Sequence, residues 1–246
     1  MLNFTIEPKY LITSSGSFGA QVKYLKDNVY YKVDSVGNEG VSERLCSILL
    51  DCTDVPHVKY EECYINNKHG CISENFMGSN DMLMTLSKLY MLKEGAEIET
   101  VLRTLSFVKD RYNFVINFVK GAISLDVTEY LDALLCLDFI TLNPDRHCDN
   151  IAFTYDGTNW NVAPIFDNGQ ALGANWSITP PGYFDEKKLF ARTLSGSFND
   201  QLLVTSTKLK INYTAVYDLL ERERDTRNKS LLKQRLLEYE RLFRYC

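Results

Sequence analysis

Three oxygen-bearing side chains, Asp145, Asn150 and Asp167, lie within one short stretch, LNPDRHCDNIAFTYDGTNWNVAPIFDNGQAL, residues 142–172. Two runs of strand-forming residues, Ile151–Tyr155 and Trp160–Pro164, flank the turn residues Asp156-Gly157-Thr158-Asn159 and predict a hairpin. A hairpin there makes neighbours of Asn150 at its entrance and Asp167 just past its exit. One oxygen ligand from each side is what a magnesium ion bridging phosphates takes. Asp145, in the loop leading in, could accept the proton of an incoming hydroxyl while Asn150 and Asp167 hold metal. The chemistry so implied is phosphoryl transfer from magnesium-bound ATP. Taken singly, each residue is an ordinary turn former. The pattern D-R-H-x-x-N, a strand pair and D-x-G is much more specific than its parts. Gly169 is expected to give the metal-binding turn its freedom. His147 reads as a packing residue that keeps Asp145 oriented, or else as a general base. Arg146 could pair with a phosphate or a carboxylate. Cys148 has no partners at metal-ligand spacing and reads as structural.

Upstream elements must present the nucleotide. SSGSFGAQVKY, residues 14–24, is a small-residue loop between two strand-like runs. Backbone N–H groups around Gly16, Ser17, Gly19 and Ala20 could approach phosphate oxygens there. The P-loop pattern itself is absent. In VYYKVD, strand alternation puts Tyr30 and Lys32 on one face and Tyr31 and Val33 on the other. Lys32 under the loop suits a phosphate contact, with Glu43 on the following helix as its carboxylate partner and Glu39 as the alternative. Lys23 competes with Lys32 for the role. Glu74 and Phe76, in the segment Ile72–Phe76, could offer backbone groups to an adenine edge.

The rest of the chain supplies a frame for these residues. Strands are expected over Tyr10–Thr13, Val22–Leu25, Val29–Val33, Val58–Ile65 and Cys71–Phe76, with a helix over Gly40–Asp51. After Gly78 the apolar spacing becomes helical: Asp81–Lys93, Ile98–Phe118, Val127–Leu142, Tyr213–Arg224 and Lys229–Arg244. Asn143-Pro144-Asp145 ends the third of these, since proline cannot continue the ladder. The expectation is an α+β, two-lobed protein-kinase-like fold, with a small β-rich N-lobe (1–76) and a larger helical C-lobe (77–246).

Composition narrows the function classes. The 246 residues carry a net charge of −5, without the basic stripe of a nucleic-acid binder. Seven cysteines, an odd number without regular spacing or a C-x-x-C pair, argue against a disulfide framework or structural zinc. The apolar stretch near Leu131–Leu142 is interrupted by Asp132 and Asp138 and is too short to span a bilayer. Met1-Leu2-Asn3-Phe4 lacks the features of a signal peptide. A cytoplasmic protein with no membrane and no direct nucleic-acid partner is expected, a secreted effector being the alternative.

The order of glycine loop, strand lysine, helix glutamate, D-R-H-x-x-N and D-x-G resembles that of the HipA-like serine/threonine kinases. Gly19, Ala20, Gln21 and Lys23 are similar to that family's G-A-Q-x-K loop, and LNPDRHCDNIAF and VAPIFDNG to its catalytic and metal segments. Asn143 stands where aminoglycoside-type phosphotransferases usually carry histidine. The resemblance implies transfer of the ATP γ-phosphoryl group to a serine or threonine of a protein. It implies Asp145 as base, Asn150 and Asp167 as magnesium ligands and Lys32 as the nucleotide lysine. It further implies Ser14, Ser15 and Ser17 as candidate autophosphorylation sites. An antitoxin, as in toxin–antitoxin pairs, or a host protein would be the partner. About a dozen residues precede the loop where full-length HipA proteins carry a further subdomain, so a compact kinase core is expected. A small-molecule or lipid kinase and a nucleotide-binding pseudokinase are the alternative readings.

Overall fold

The computed structural model describes residues 1–12, 21–35, 37–174 and 189–243. In chain order its elements are β1 (Leu2–Phe4), β2 (Lys23–Lys26), β3 (Val29–Val33), α1 (Glu39–Asp51), β4 (Glu61–Ile65) and β5 (Lys68–Glu74). There follow β6 (Met82–Thr85), α2 (Leu86–Glu94), α3 (Ile98–Thr104), α4 (Val108–Ile123), α5 (Thr128–Thr141), β7 (Ala152–Tyr155) and β8 (Trp160–Val162). The chain closes with α6 (Phe198–Val204), α7 (Tyr213–Arg222) and α8 (Arg227–Phe243). Two compact units result. The first holds residues 1–75, the segment beginning at Asp167 and the stretch beginning at Lys210; the second holds Phe76–Phe166 and the segment ending at Leu209.

The first unit is built on a five-stranded sheet ordered β1-β4-β5-β3-β2, antiparallel except for β1 on β4. One face buries Ile6, Tyr31, Val33, Cys63 and Ile65, with Phe4, Tyr24 and Ile72 packed beside them. Alternation along β3 sends Lys32 to the opposite face, which α1 covers. Glycines keep the packing close at two levels, Gly70 between β5 and β3 and Gly40 between α1 and β5. A Cβ on Gly70 would sit 2.1 Å from the Lys32 carbonyl oxygen, and one on Gly40 2.7 Å from the Gly70 carbonyl oxygen. α7 and α8 pack on the outside of α1, where Arg44 donates to Glu223 at 2.9 Å. Asn228 of α8 donates to the Leu172 carbonyl at 3.0 Å and Ser42 of α1 to the Ala171 carbonyl at 2.8 Å, tying the segment after Asp167 to both helices.

Two expectations at this end are corrected. Of the strand expected over Tyr10–Thr13, Tyr10 instead closes the 3-10 turn Pro8–Tyr10, whose first residue has a fixed φ and no N–H donor, and among the described residues Leu11 makes a single bridge to Tyr24. Thr13 lies outside the described residues. The β4–β5 turn is the pair Asn66-Asn67, at φ of 49° and 64°, which frees Lys68–Gly70 to extend β5. The three-residue strand β1 was too short to carry a periodic signal.

His69 of β5 sits between Asp34 (2.6 Å) and Glu62 (3.1 Å), and Asp34 also accepts the Gly40 N–H at the start of α1. The Asp34 hydrogen bond first, then that to Glu62, raises the imidazole to about 9 against the opposing effect of burial. A raised folded-state value stabilises the fold fully below the ordinary histidine range and loses that contribution as pH rises towards 9. The loss is at most about 3 kcal/mol. Urea unfolding at pH 6 and at pH 9.5 should show it for the native chain, and His69→Gln should remove that part of the pH dependence.

The second unit carries a three-stranded antiparallel sheet, β6-β7-β8, and five helices. The β7–β8 hairpin is the one expected. The helix expected over Asp81–Lys93 begins only at Leu86, because Met82–Thr85 pair with β7 and Thr85 caps the helix through the Lys88 N–H. The helix expected over Ile98–Phe118 is two helices. Arg111 of α4 donates to the Leu102 and Leu105 carbonyls at 2.9 Å, satisfying the end of α3 and stabilising the break. α5 is buried almost throughout, including Asp132 and Asp138. Asp132 accepts from Tyr112 Oη (2.6 Å), Ser206 N (2.9 Å) and Thr207 N (2.7 Å), which holds α5 to α4 and to the loop after α6. Among the described residues no helix is long and apolar enough to cross a membrane.

Candidate active site

In the first unit Lys32, Glu43 and Asp167 meet. Lys32 is 7% exposed. Its Nζ donates to Glu43 Oε1 at 2.8 Å, to Asp167 Oδ1 at 3.0 Å and to Tyr60 Oη at 3.2 Å. It also lies 4.8 Å from the centre of the Tyr60 ring. Burial pushes this ammonium down, but Asp167, then Glu43 and Tyr60, hold it well above the ordinary lysine value. Lys32 is therefore a fixed cation. Burial pushes the Glu43 carboxyl up, and Lys32 and the Asn168 N–H, which donates to Oε2 at 2.8 Å, oppose that shift. Between the two candidate carboxylates the structure decides for Glu43, since Glu39 accepts from Ser35 Oγ and the Gly37 N–H, both at 3.0 Å. Lys23 stands directly opposite Lys32 in the β2–β3 register, and its Nζ lies 3.8 Å from Asp167 Oδ2. The two lysines that competed in the sequence thus share one carboxylate.

Asp167 has a φ of 61°, a conformation aspartate tolerates better than bulkier residues. The freedom expected of Gly169 is used instead for space: a Cβ there would come within 3.3 Å of Glu39 Cβ. Tyr60 is the residue sequence reasoning missed. Besides accepting from Lys32, its hydroxyl lies 3.4 Å from the Asp167 N–H, and burial pushes the phenol far above its usual value, so it stays neutral. Nothing in the run preceding β4 marks Tyr60 beyond its alternation with Val58 as a core residue.

In the second unit the loop from Asn143 to Asn150 is wound on its own backbone. Asn143 Oδ1 accepts the Asp145 N–H at 3.1 Å, the Asp145 carbonyl accepts the His147 N–H at 2.8 Å, and the His147 carbonyl accepts the Asn150 N–H at 2.8 Å. His147 Nδ1 accepts the Asp149 N–H at 3.3 Å, a bond within the loop. Asn150, 6% exposed, donates through Nδ2 to the Asp145 carbonyl at 3.4 Å. Asp149 accepts from Thr85 at 3.1 Å. Cys148 is buried, and burial pushes its thiol well up.

Arg146, whose partner the sequence left open, is fully buried and pairs with a carboxylate. Its Nη2 lies 3.2 Å from Asp138 Oδ1 and its Nη1 donates to the Phe166 carbonyl at 2.7 Å. It therefore fixes the loop to α5 and to the residue preceding Asp167. Thr193 completes this centre, donating to the Arg146 carbonyl at 3.0 Å. The Asp145 carboxylate points the other way, to Arg192 Nη1 at 2.6 Å, a pair in which both side chains are substantially exposed. Arg192 carried no sequence signal.

Among the remaining expected residues, Glu74 is exposed at the end of β5 and Phe76 lies against Phe166, the rings tilted by 32° with 6.0 Å between their centres. Gly16, Ser17, Gly19 and Ala20, with Ser14 and Ser15, lie outside the described residues.

No protein-family model and no curated protein matches the chain. Solved structures do. The Helicobacter pylori proinflammatory kinase CtkA aligns over 98% of this chain and 94% of its own, with a TM-score of 0.62 at 16% identity. HipA of Shewanella oneidensis, from the HipA–HipB toxin–antitoxin complex with operator DNA, aligns over 96% of this chain and 66% of its own, with a TM-score of 0.56 at 10% identity. The chain thus has the mixed α and β kinase fold of CtkA and HipA, the fold its resemblance to the HipA-like kinases implied.

Proposed function

We propose that the chain is an ATP- and magnesium-dependent serine/threonine protein kinase. The observation that carries the reading is the buried Lys32, bonded at once to Glu43 and Asp167. A fixed ammonium on a strand, braced by a helix carboxylate and touching a second carboxylate, suits the phosphates of a nucleotide. The residues fit a magnesium ion that arrives on those phosphates. In protein kinases an aspartate carboxylate and an asparagine amide are the protein's share of such ions. No group of three or more His, Cys, Asp or Glu side chains among the described residues could form an all-protein cage.

Asp167 and the Asn150 amide oxygen would hold the metal, which supplies neutralisation of charge on the transferring phosphoryl group. Lys32, with Lys23 beside it, would orient the phosphates, and Glu43 and Tyr60 keep Lys32 from rotating away. Asp145 would accept the acceptor hydroxyl's proton, on a loop whose backbone Arg146 and Asn143 hold still. A protein is the proposed acceptor, the chain itself among them, with Ser14, Ser15 and Ser17 as acceptors in the glycine loop. An antitoxin-like protein is a proposed partner, by analogy with the HipB-bound HipA.

The test is labelling with radioactive ATP. Purified protein in Mg-ATP is expected to label itself or a generic protein substrate on serine or threonine, and a chelator is expected to stop it. Absence of transfer across a range of acceptors and divalent metals, despite ATP binding, would sink the reading in favour of a nucleotide-binding regulator.

A further inference from the structure

Arg192 is set beside Asp145 with far more structure than a surface ion pair needs. The turn Ala191–Gly196 closes on itself through Ala191 N to Gly196 O (3.0 Å) and Gly196 N to Ala191 O (3.3 Å). Arg111 donates to the Leu194 carbonyl at 2.9 Å and to the Ser195 carbonyl at 2.6 Å. Gln201 donates to the Ala191 carbonyl at 2.9 Å, and Thr193 reaches the Arg146 carbonyl at 3.0 Å. Ala191, Thr193 and Leu194 are buried. Arg192 alone turns outward, with its side chain 58% exposed. An ion pair this exposed adds little to stability, so stability does not explain the arrangement.

The contact also opposes the role given to Asp145. One oxygen of its carboxylate, Oδ1, is already occupied by the Arg192 guanidinium at 2.6 Å. Among the described residues Arg192 meets Asp145 through Nη1 alone, one of its five N–H donors, so a second anion can compete for it.

We propose that Arg192 is a specificity-determining residue that recognises an anionic side chain next to the acceptor hydroxyl. The favoured substrate is a peptide with Asp, Glu or a phosphorylated residue flanking the acceptor Ser or Thr. Its carboxylate or phosphate takes the guanidinium in a charge-assisted pair and releases Asp145. In the step that follows, the acceptor oxygen bonds to the γ-phosphorus, the bond from that phosphorus to the ADP oxygen breaks, and the hydroxyl proton passes to Asp145. A neutral peptide leaves Arg192 on Asp145 and reacts slowly. This inference rests on the kinase reading above.

Synthetic acceptor peptides that differ only in the flanking residue test it with the full chain in Mg-ATP. The native protein is expected to show a kcat/KM at least tenfold higher for acidic-flanked than for neutral or basic-flanked peptides. Arg192→Ala is expected to level the series, losing rate on acidic peptides and gaining it on neutral ones. Arg192→Glu is expected to reverse the preference towards basic flanks, which a merely structural role would not do. An acidic preference that survives in both variants, or a native protein indifferent to the flank, overturns the proposal while leaving the kinase intact. No transfer to any peptide overturns the kinase reading and this inference together. Unfolding midpoints of both variants are read alongside, and a variant that unfolds at the native midpoint has kept its fold.

Discussion

Asp145→Asn is expected to lower the rate of phosphoryl transfer by about 10²- to 10⁴-fold, the usual worth of a positioned general base. Asparagine is nearly isosteric, and the backbone bonds that shape the loop run through the Asp145 N–H and carbonyl, which the substitution keeps. The side-chain pair lost with Arg192 is exposed, so the unfolding free energy should move by no more than about 1 kcal/mol. Single-turnover measurements at saturating Mg-ATP should place the loss in kcat, with nucleotide affinity unchanged. The companion variant Asp167→Asn should lose transfer to a comparable degree, but for another reason and with another signature. It removes a carboxylate that two ammonium groups share, at 3.0 Å and 3.8 Å, along with the proposed metal oxygen. Its magnesium dependence should therefore change where that of Asp145→Asn does not. Transfer within threefold of native by Asp145→Asn would remove Asp145 from the role of base.

The largest effect on stability is expected at Arg146. The side chain is fully buried, and so is its partner Asp138, whose carboxyl burial pushes up while Arg146 opposes the shift. Arg146→Met leaves a buried carboxylate without its cation and the Phe166 carbonyl without its donor. Removing one member of a buried pair costs about 3–5 kcal/mol. Replacing both members with apolar residues removes the orphaned charge, so Asp138→Leu/Arg146→Met should be less destabilised than the sum of the two single variants. Chemical denaturation of the four proteins in a double-mutant cycle measures this directly. A strictly additive cycle would show that the two side chains do not act as a pair. Because Arg146 also holds the residue before Asp167, the double variant should recover stability without recovering transfer.

The features legible without coordinates are those carried by neighbours along the chain. Alternation in VYYKVD places Lys32 on the face away from Tyr31 and Val33, and β3 keeps that alternation because a pleated strand sends successive side chains to opposite faces. The helix after β3 offered Glu43, with Glu39 as the alternative, as the carboxylate for Lys32, and the turn residues Asp156–Asn159 marked the β7–β8 hairpin. Where local patterns are short, they misled. Met82–Thr85 offer four residues, too few to separate a strand from the first turn of a helix, and their pairing with β7 decided the matter.

Other features depended on the path of the chain in space. Tyr60 meets Asp167 from a sequence position remote from it, Arg192 reaches Asp145 from beyond α5 and the β7–β8 hairpin, and Arg146 finds Asp138 by the chain turning back on α5. A hydroxyl, a guanidinium and a carboxylate look alike in sequence whether they face water or one another. By itself the sequence determined which residue types stand ready for phosphoryl transfer and which faces of their strands and helices they occupy. The tertiary structure alone decided which charges neutralise which, because pairing in a buried centre is set by desolvation and distance rather than by order along the chain.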